Sequence, residues 1–381
     1  MAKSKTTQIK LLFFGYPSKS INYTGGHIWM KKVADHIEKN DCYSILKISN
    51  QYFSKKKGPI KFFSSLFSVI RALKEYPQIA FLDAWGEPNI ILWLLLRLIK
   101  PKTKIFVVFH HHEPRIIICK NFLELVYNYI IQKLIMSMLK DSDIILTVSQ
   151  SSKQQLNIIY GIKENKIKNI KEKSINKNNK LSKNLNKKIA IVGTGIDINF
   201  FIKEKIIKEI DFLCVGRIEK FNGLDKIWIK IKAQRPESNL VIVGRSSEEC
   251  KDGLRKIGID HRGFVTEEEK IDLYAKSKVF IFPSSREGFG IAMAEAFCTN
   301  LPVVAWKIPV FEEFYLNNNL TKVKLIEYGN YDLFAEECLK TLDQYKEDKP
   351  VDDSKKTSFH FPTWQTVAKN VMTTIDSINS S

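Results

Sequence analysis

No Cys-x-x-Cys pair occurs in the 381 residues, and the six cysteines, at 42, 119, 214, 250, 298 and 338, stand far apart. That spacing argues against a disulfide framework and against cysteine metal ligands. Several of them sit inside apolar runs such as Phe212-Leu-Cys-Val215, which reads as reduced core thiols in a cytosolic compartment. Long hydrophobic runs are scarce too. The run that follows the N-terminal lysines extends only from Leu11 to Phe14 before Gly15, whereas a secretory signal needs about 7 to 15 apolar residues. It reads instead as a first β-strand ending in a turn, and no export is expected. Ile90-Ile-Leu-Trp-Leu-Leu-Leu-Arg-Leu-Ile99 is interrupted by Arg97 and is about half the length of a bilayer crossing. It reads as a buried helix.

Aromatics and proline are missing from one segment in particular. Residues 163–188 hold ten lysines, two glutamates and many asparagines, a net of +8, which leaves +11 of the chain's +19 for everything else. This composition predicts a mobile loop inserted between two ordered pieces. It lacks the interleaved aromatic residues that stack on bases, so no nucleic-acid partner is expected.

What is present is enough to fold. An apolar fraction of 44% and an aromatic fraction of 11% allow the chain to bury its own core. Its length favours two domains, at roughly 100 to 200 residues each, and two domains imply a cleft. In the first half, strand patterns at 9–14, 79–82, 104–109 and 143–148 alternate with amphipathic runs at 29–39 and 121–139. Such alternation predicts a parallel sheet wrapped by helices. Beyond the lysine-rich loop the pattern begins again, with strands at 212–216, 240–244, 279–282 and 302–305. Two α/β, Rossmann-like, doubly wound domains are therefore expected, with ligand held near the carboxyl ends of their strands.

The chemistry concentrates in Ser284-Ser-Arg-Glu-Gly-Phe-Gly-Ile-Ala-Met-Ala-Glu-Ala-Phe297. On a single helix, eight residues at roughly 100° each would leave Glu287 and Glu295 about 80° apart, on no common face. The better reading leaves Glu287 in a loop and starts the helix near Gly290. The free N–H groups around Phe289, Gly290 and Ile291 then favour a phosphate, and Gly288 and Gly290 let it approach. A carboxylate repels phosphate, so the two glutamates are read as acceptors for the hydroxyls of a sugar or ribose. The blander alternatives are a helix-terminal charge for Glu287 and a surface or capping role for Glu295. A second stretch, Val215-Gly-Arg-Ile-Glu-Lys-Phe-Asn-Gly-Leu-Asp225, places cations after a strand. There Arg217 can form paired bonds to phosphate and stabilise a departing diphosphate.

Together these stretches resemble the family 4 glycosyltransferases of the GT-B fold, two Rossmann-like domains facing across a cleft. Further motifs extend the resemblance over nearly the whole chain. Thr24-Gly-Gly-His27 looks like the glycine-rich first loop, and Ser142-Asp-Ile-Ile-Leu-Thr-Val-Ser149 like the strand closing the acceptor domain. Gly193-Thr-Gly-Ile-Asp197 is similar to the family's hinge-side Gly-Ile-Asp, and Gly263-Phe264-Val265 to its nucleotide-base loop. Phe361-Pro-Thr-Trp364 begins what looks like a last helix that crosses back to the first domain. The implied boundaries are 1–200 for the acceptor domain, 201–360 for the donor domain and 361–381 for the crossing helix.

The resemblance implies transfer of a hexose, with retention, from a GDP- or UDP-linked donor to a saccharide or lipid-linked acceptor, without a required cofactor or metal. It implies that Glu287 binds donor-sugar hydroxyls, Glu295 the ribose, and Arg217, Lys220 and the backbone of 288–291 the diphosphate. Gly25 and Gly26 would lie on the acceptor side, and His110 matches a histidine that faces the reacting sugar. Glu287 and His110 are thus the expected catalytic-site residues, with no general base assigned. One departure matters: Asn222 stands where the family usually has lysine, with Lys220 two residues earlier. Loss of a cation beside a diphosphate costs about 1 to 3 kcal/mol, enough for a tenfold or larger effect. A catalytically weakened regulatory or binding subunit is therefore the alternative reading. Asn300 also replaces the glycine common before Leu-Pro-Val-Val.

Three other patterns are weaker. The consecutive ligands of His110-His-His-Glu113 would point to opposite sides of an extended segment and converge poorly on a metal. Asp141-Ser-Asp143 imitates a metal-binding D-x-D but precedes a strand, and Gly193-Thr-Gly195 is a lone glycine pair. Apolar and basic residues at 121–130, 55–57 and 62–63 suggest docking on an anionic membrane, hence a cytoplasmic protein peripheral to a membrane face.

Overall fold

The structure, a computed structural model, describes residues 8–17, 24–49, 59–84, 87–111, 121–162, 189–197, 207–218, 223–316, 318, 320, 322–345 and 361–379. The lysine-rich loop, Lys55 to Lys57, His112, Glu113, Lys220 and Asn222 lie outside these residues, as do the side chains of Phe62 and Phe63. The chain forms two compact units, Met1–Gly195 with Pro362–Ser381, and Ile196–Phe361.

In the first unit the chain alternates β1 (Ile9–Phe14), α1 (Gly25–Ile37), β2 (Tyr43–Ile48), α2 (Pro59–Lys74), β3 (Ile79–Asp83), α3 (Glu87–Ile99), β4 (Lys104–Phe109), α4 (Phe122–Asp141), β5 (Ile144–Thr147), α5 (Gln150–Tyr160) and β6 (Ile189–Ile191). All strand pairs are parallel, in the order β2-β1-β3-β4-β5-β6. A parallel sheet covered on both faces needs strands that are apolar on both sides. Leu11, Leu12, Phe13 and Phe14 meet that need and are fully buried. Alternate residues divide between the faces. Leu12, Phe14, Leu82, Val107 and Phe109 share a cluster with Trp93 and Leu96 of α3 and Ile135 and Met138 of α4. On the other side Phe13 stacks on Phe81 at 4.4 Å.

The second unit repeats the plan with β7 (Ile210–Val215), α6 (Leu224–Gln234), β8 (Leu240–Val243), α7 (Glu248–Lys256), β9 (Asp260–Gly263), α8 (Glu267–Lys276), β10 (Ser277–Phe282), α9 (Ile291–Cys298), β11 (Val303–Lys307), α10 (Pro309–Phe311, continued by a π-helical turn Glu312–Leu316), β12 (Val323–Glu327) and α11 (Tyr331–Asp343). Its sheet, again parallel, runs β12-β11-β10-β7-β8-β9. The strand order reverses between β7 and β10, and doubly wound sheets bind ligands at the carboxyl ends of such a pair. Asn300 has φ +64, a left-handed conformation that asparagine tolerates better than most residues. That conformation accounts for a glycine being common at this position.

The last helix, α12 (Trp364–Asn379), belongs to the first unit. Its residues Trp364, Val367, Ala368, Val371 and Ile375 are buried at helical spacing. Asn370 donates to the carbonyl of Val192 at 3.1 Å, and Tyr43 donates to Asp376 at 2.9 Å.

Candidate active site

The loop after β10 is built around Gly290. This residue caps α9 with φ +83, and a Cβ there would stand 2.7 Å from Cε1 of Phe311. Only glycine fits without displacing that ring. Gly288, Phe289 and Gly290 are buried, and Phe289 packs edge-on to Phe314 and Phe361 at 4.8 and 5.6 Å. The N–H groups of the first turn of α9, beginning at Ile291, therefore face a loop of fixed shape, which suits an anion.

Glu287 lies in this loop, and Ser284 donates its hydroxyl proton to Oε1 at 2.8 Å. Burial pushes the Glu287 carboxyl up to about 7, against the opposing pull of the Ser284 bond and the Arg217 charge. Arg217 follows β7 and Glu287 follows β10, adjacent strands paired through Phe212 with Val279 and Leu213 with Phe280. The two side chains come from distant parts of the sequence and act on each other at the carboxyl end of the switch point.

Glu295 occupies the second turn of α9 and is buried. Lys270 of α8 reaches its Oε1 at 2.9 Å, and the hydroxyl of Tyr274 lies 3.0 Å from its Oε2. The surface or capping alternative does not describe this residue. Burial raises its carboxyl, with the Lys270 charge opposing. For Lys270, burial acts downward, but the attraction of Glu295 and Glu267 outweighs it and holds the ammonium charged. Gly263 ends the edge strand β9, and Phe264 and Val265 lead into α8, whose N-cap Thr266 forms a capping box with Glu269. Phe264 is exposed, and the Gly263 N–H donates to Nδ1 of His261 at 3.2 Å.

In the first unit, Gly25 and Gly26 open α1 behind the N-cap Thr24. His110 follows β4. Its ring meets Trp29 edge-on at 5.7 Å, its carbonyl accepts from Ser152 at 2.5 Å, and its buried Nε2 has no hydrogen-bond partner among the described residues. Burial, reinforced by the charges of His111 and His27, pushes the imidazole down to about 3. The ring is thus neutral near pH 7, with one nitrogen unused. Trp29 is itself fixed by donating Nε1–H to the carbonyl of Gly193 at 2.9 Å.

The expected residues fall into two groups. Arg217, Glu287, the 288–291 backbone and Glu295 gather in the second unit, while Gly26 and His110 gather in the first. Ser284, Lys270, Tyr274 and Trp29 join the expected residues only through the structure. Ser284 stands in the same short motif as Glu287, whereas Lys270 and Tyr274 are marked only by their i, i+4 spacing on α8. Among the described residues no group of three or more His, Cys, Asp or Glu side chains is arranged to hold a metal ion.

Residues 195–357 match the family described as Glycosyl transferases group 1. The chain is similar to the O-antigen chain mannosyltransferase RfbU of Salmonella typhimurium, 32% identical over 141 residues, or 35% of this chain and 39% of that one. It is also similar to the lipopolysaccharide core biosynthesis mannosyltransferase LpsB of Rhizobium meliloti, 32% identical over 26% of this chain and 32% of the relative. The chain thus spans well under half the length of the curated relatives it matches. Among solved structures, a sucrose-phosphate synthase from Thermosynechococcus elongatus superposes with a TM-score of 0.73 at 12% identity, over 98% of this chain and 100% of that one. HepE of Anabaena, in complex with UDP and glucose, superposes with a TM-score of 0.60 at 15% identity, covering 98% and 99%. The architecture is that of the GT-B fold.

Proposed function

We propose that this chain, whose residues 195–357 are a group 1 glycosyl transferase domain in a GT-B fold, is a retaining, family 4 hexosyltransferase that uses a GDP- or UDP-linked sugar. The observation that carries the reading is the placement of Arg217 and Glu287 after the adjacent strands β7 and β10, close enough for the charge of one to act on the other. A cation beside a glycine-capped helix start receives a diphosphate, and a half-buried carboxylate near it receives hydroxyls. The mannosyltransferase relatives favour mannose as the hexose.

In this reading Arg217, Lys220 and the N–H groups from Gly288 to Ile291 bind the diphosphate, and the positive field stabilises the charge that develops as the sugar leaves. Glu287 accepts hydrogen bonds from the donor sugar, Glu295 from the ribose, and Gly263, Phe264 and Val265 border the base. His110 and the Gly25-Gly26 turn contact substrate from the acceptor-binding unit, His110 as a neutral imidazole with Nε2 available.

Calorimetric titration with a panel of GDP- and UDP-sugars tests the reading, with Arg217→Ala and Glu287→Ala alongside. Saturable binding of one nucleotide sugar, weakened by both substitutions and accompanied by transfer that Glu287→Ala abolishes, supports it. A Glu287→Ala variant as active as the parent overturns it. Asn222 motivates a second reading, a regulatory or binding subunit, which nucleotide binding without turnover would favour.

The acceptor is proposed to be a saccharide or a lipid-linked saccharide, met by a cytoplasmic protein at an anionic membrane face. Among the described residues α4 is the one helix long and apolar enough to cross a membrane by length and composition. Phe122, Leu123, Tyr129 and Ile130 on α4, Leu98 on the adjoining α3 and Phe67 on α2 are all exposed, in a chain of net charge +19. Apolar side chains among cations suit shallow insertion between anionic headgroups. Co-sedimentation with phosphatidylglycerol vesicles at low salt is expected, and absence of binding removes this partner.

A further inference from the structure

Lys270 and Tyr274 lie one turn apart on α8 and point at a single carboxylate on α9. Each holds a different oxygen of Glu295, Nζ of Lys270 at 2.9 Å from Oε1 and the Tyr274 hydroxyl at 3.0 Å from Oε2. The contact is nearly dry, since the side chains of Lys270 and Glu295 are only 12% and 11% exposed and Tyr274 is fully buried. Lys270 is also shared with Glu267 at 3.0 Å, so the three charges leave a net of one negative. The Tyr274 hydroxyl has one proton and two acceptors, Oε2 of Glu295 and the carbonyl of Ala292, both at 3.0 Å. A charged acceptor is the stronger partner.

We propose that Lys270 and Tyr274 are positioning residues that hold Glu295 ionised and oriented as a double acceptor for the vicinal hydroxyls of a nucleotide ribose. The proposal rests on the donor-site reading above and adds the two side chains through which Glu295 acts. A carboxylate offers about four lone-pair directions. Lys270 and Tyr274 take one on each oxygen and leave one on each, the number that a cis-diol requires. Deprived of Lys270, a carboxyl this buried takes up a proton and loses acceptor capacity toward the diol. Val265 is followed by the N-cap Thr266 and then by α8, so the same helix that follows the base loop also fixes the ribose carboxylate. Base and ribose are thereby read by one rigid element.

The test is calorimetric binding of GDP and UDP and of their 2′,3′-dideoxy forms to the parent, Lys270→Met, Lys270→Arg, Tyr274→Phe, Glu295→Gln and the Lys270→Met/Glu295→Gln pair. Hydrogen bonds to a charged acceptor are strong enough that the parent is expected to prefer the ribose form about tenfold or more. Lys270→Met is expected to lower that preference to about threefold or less while leaving dideoxy binding unchanged, and Lys270→Arg to restore most of it. On the Glu295→Gln background Lys270→Met is expected to cause no further loss. Tyr274→Phe removes only a hydroxyl and gives the same test if Lys270→Met fails to fold. An unchanged preference in folded Lys270→Met or Tyr274→Phe overturns the proposal. Equal binding of ribose and dideoxy forms by the parent also overturns it while leaving the donor site standing, whereas no binding of any nucleotide removes the donor-site reading itself.

Discussion

The His110 ring lies against the backbone of Gly26 so closely that a Cβ on Gly26 would stand 3.0 Å from its Cδ2 and 3.2 Å from its Nε2, with Oδ2 of Asp83 at 3.6 Å. The start of α1 therefore fixes a buried ring nitrogen that has no hydrogen-bond partner among the described residues. In Gly26→Ala, helix propensity gains about 1 kcal/mol, while the methyl displaces the imidazole by a few tenths of an ångström. The two effects separate stability from activity. Thermal unfolding is expected to change by only a few degrees, and transfer to fall tenfold or more; full activity in the variant would show that the position of His110 is unimportant.

Glu287 carries a pH signature. The folded chain holds its proton up to about pH 7, compared with an ordinary value of 4.5. Protonation of this group thus favours the fold, a contribution complete below pH 4.5 and lost as pH rises through 7. Glu287→Gln removes the partly desolvated charge. Its Tm is expected to exceed the parent's at pH 8, with the difference shrinking toward zero near pH 4, while transfer is lost at every pH. Melting curves across that range check both the sign and the window.

At Gly290 a side chain is opposed twice, by φ +83 and by Phe311 at 2.7 Å. Gly290→Ala is expected to destabilise the protein by about 2 kcal/mol or more, from the left-handed conformation and the overlap together. Any relief requires the loop from Glu287 to Phe289 to move, so nucleotide affinity falls as well. Urea unfolding and calorimetry on one preparation would measure the two losses. A stable variant with parental affinity would mean that the loop shape is irrelevant to binding.

The sequence disclosed the inner strands of both sheets and none of the outer ones. β2, β6, β9 and β12 are the four sheet edges, and each lacks the two-sided apolar run by which a buried parallel strand is recognised. Asp260-His-Arg-Gly263 is a strand with no aliphatic side chain at all. Ile189–Ile191 is apolar but only three residues long. The candidate site divides in a similar way. Arg217, Glu287 and Gly290 belong to short motifs at strand ends, where type and spacing carry the chemistry. Lys270 and Tyr274 reach Glu295 from 25 and 21 residues away, so only the packing of α8 against α9 reveals them.

Asp141-Ser-Asp143, which imitates a metal motif, has a structural task. Arg97 donates Nε–H to Asp141 at 2.6 Å and Nη2–H to Asp143 at 3.1 Å, and it also bonds the carbonyls of Asp141 and Thr103. Trp93 adds a bond to Asp141 at 2.7 Å, and the N–H of Ile105 one to Asp143 at 2.8 Å. The arginine that interrupts the apolar run of α3 thus ties that helix to the end of α4 and the start of β5. The pair is partly exposed, with Arg97 at 25% and Asp141 at 44%, so screening limits its strength. The bonds to backbone carbonyls are what the fold loses most. Arg97→Met, which keeps the aliphatic stem, is expected to cost about 1 to 3 kcal/mol in urea unfolding and to leave nucleotide affinity unchanged. A loss of affinity without a loss of stability would give Asp141 and Asp143 a role beyond the scaffold.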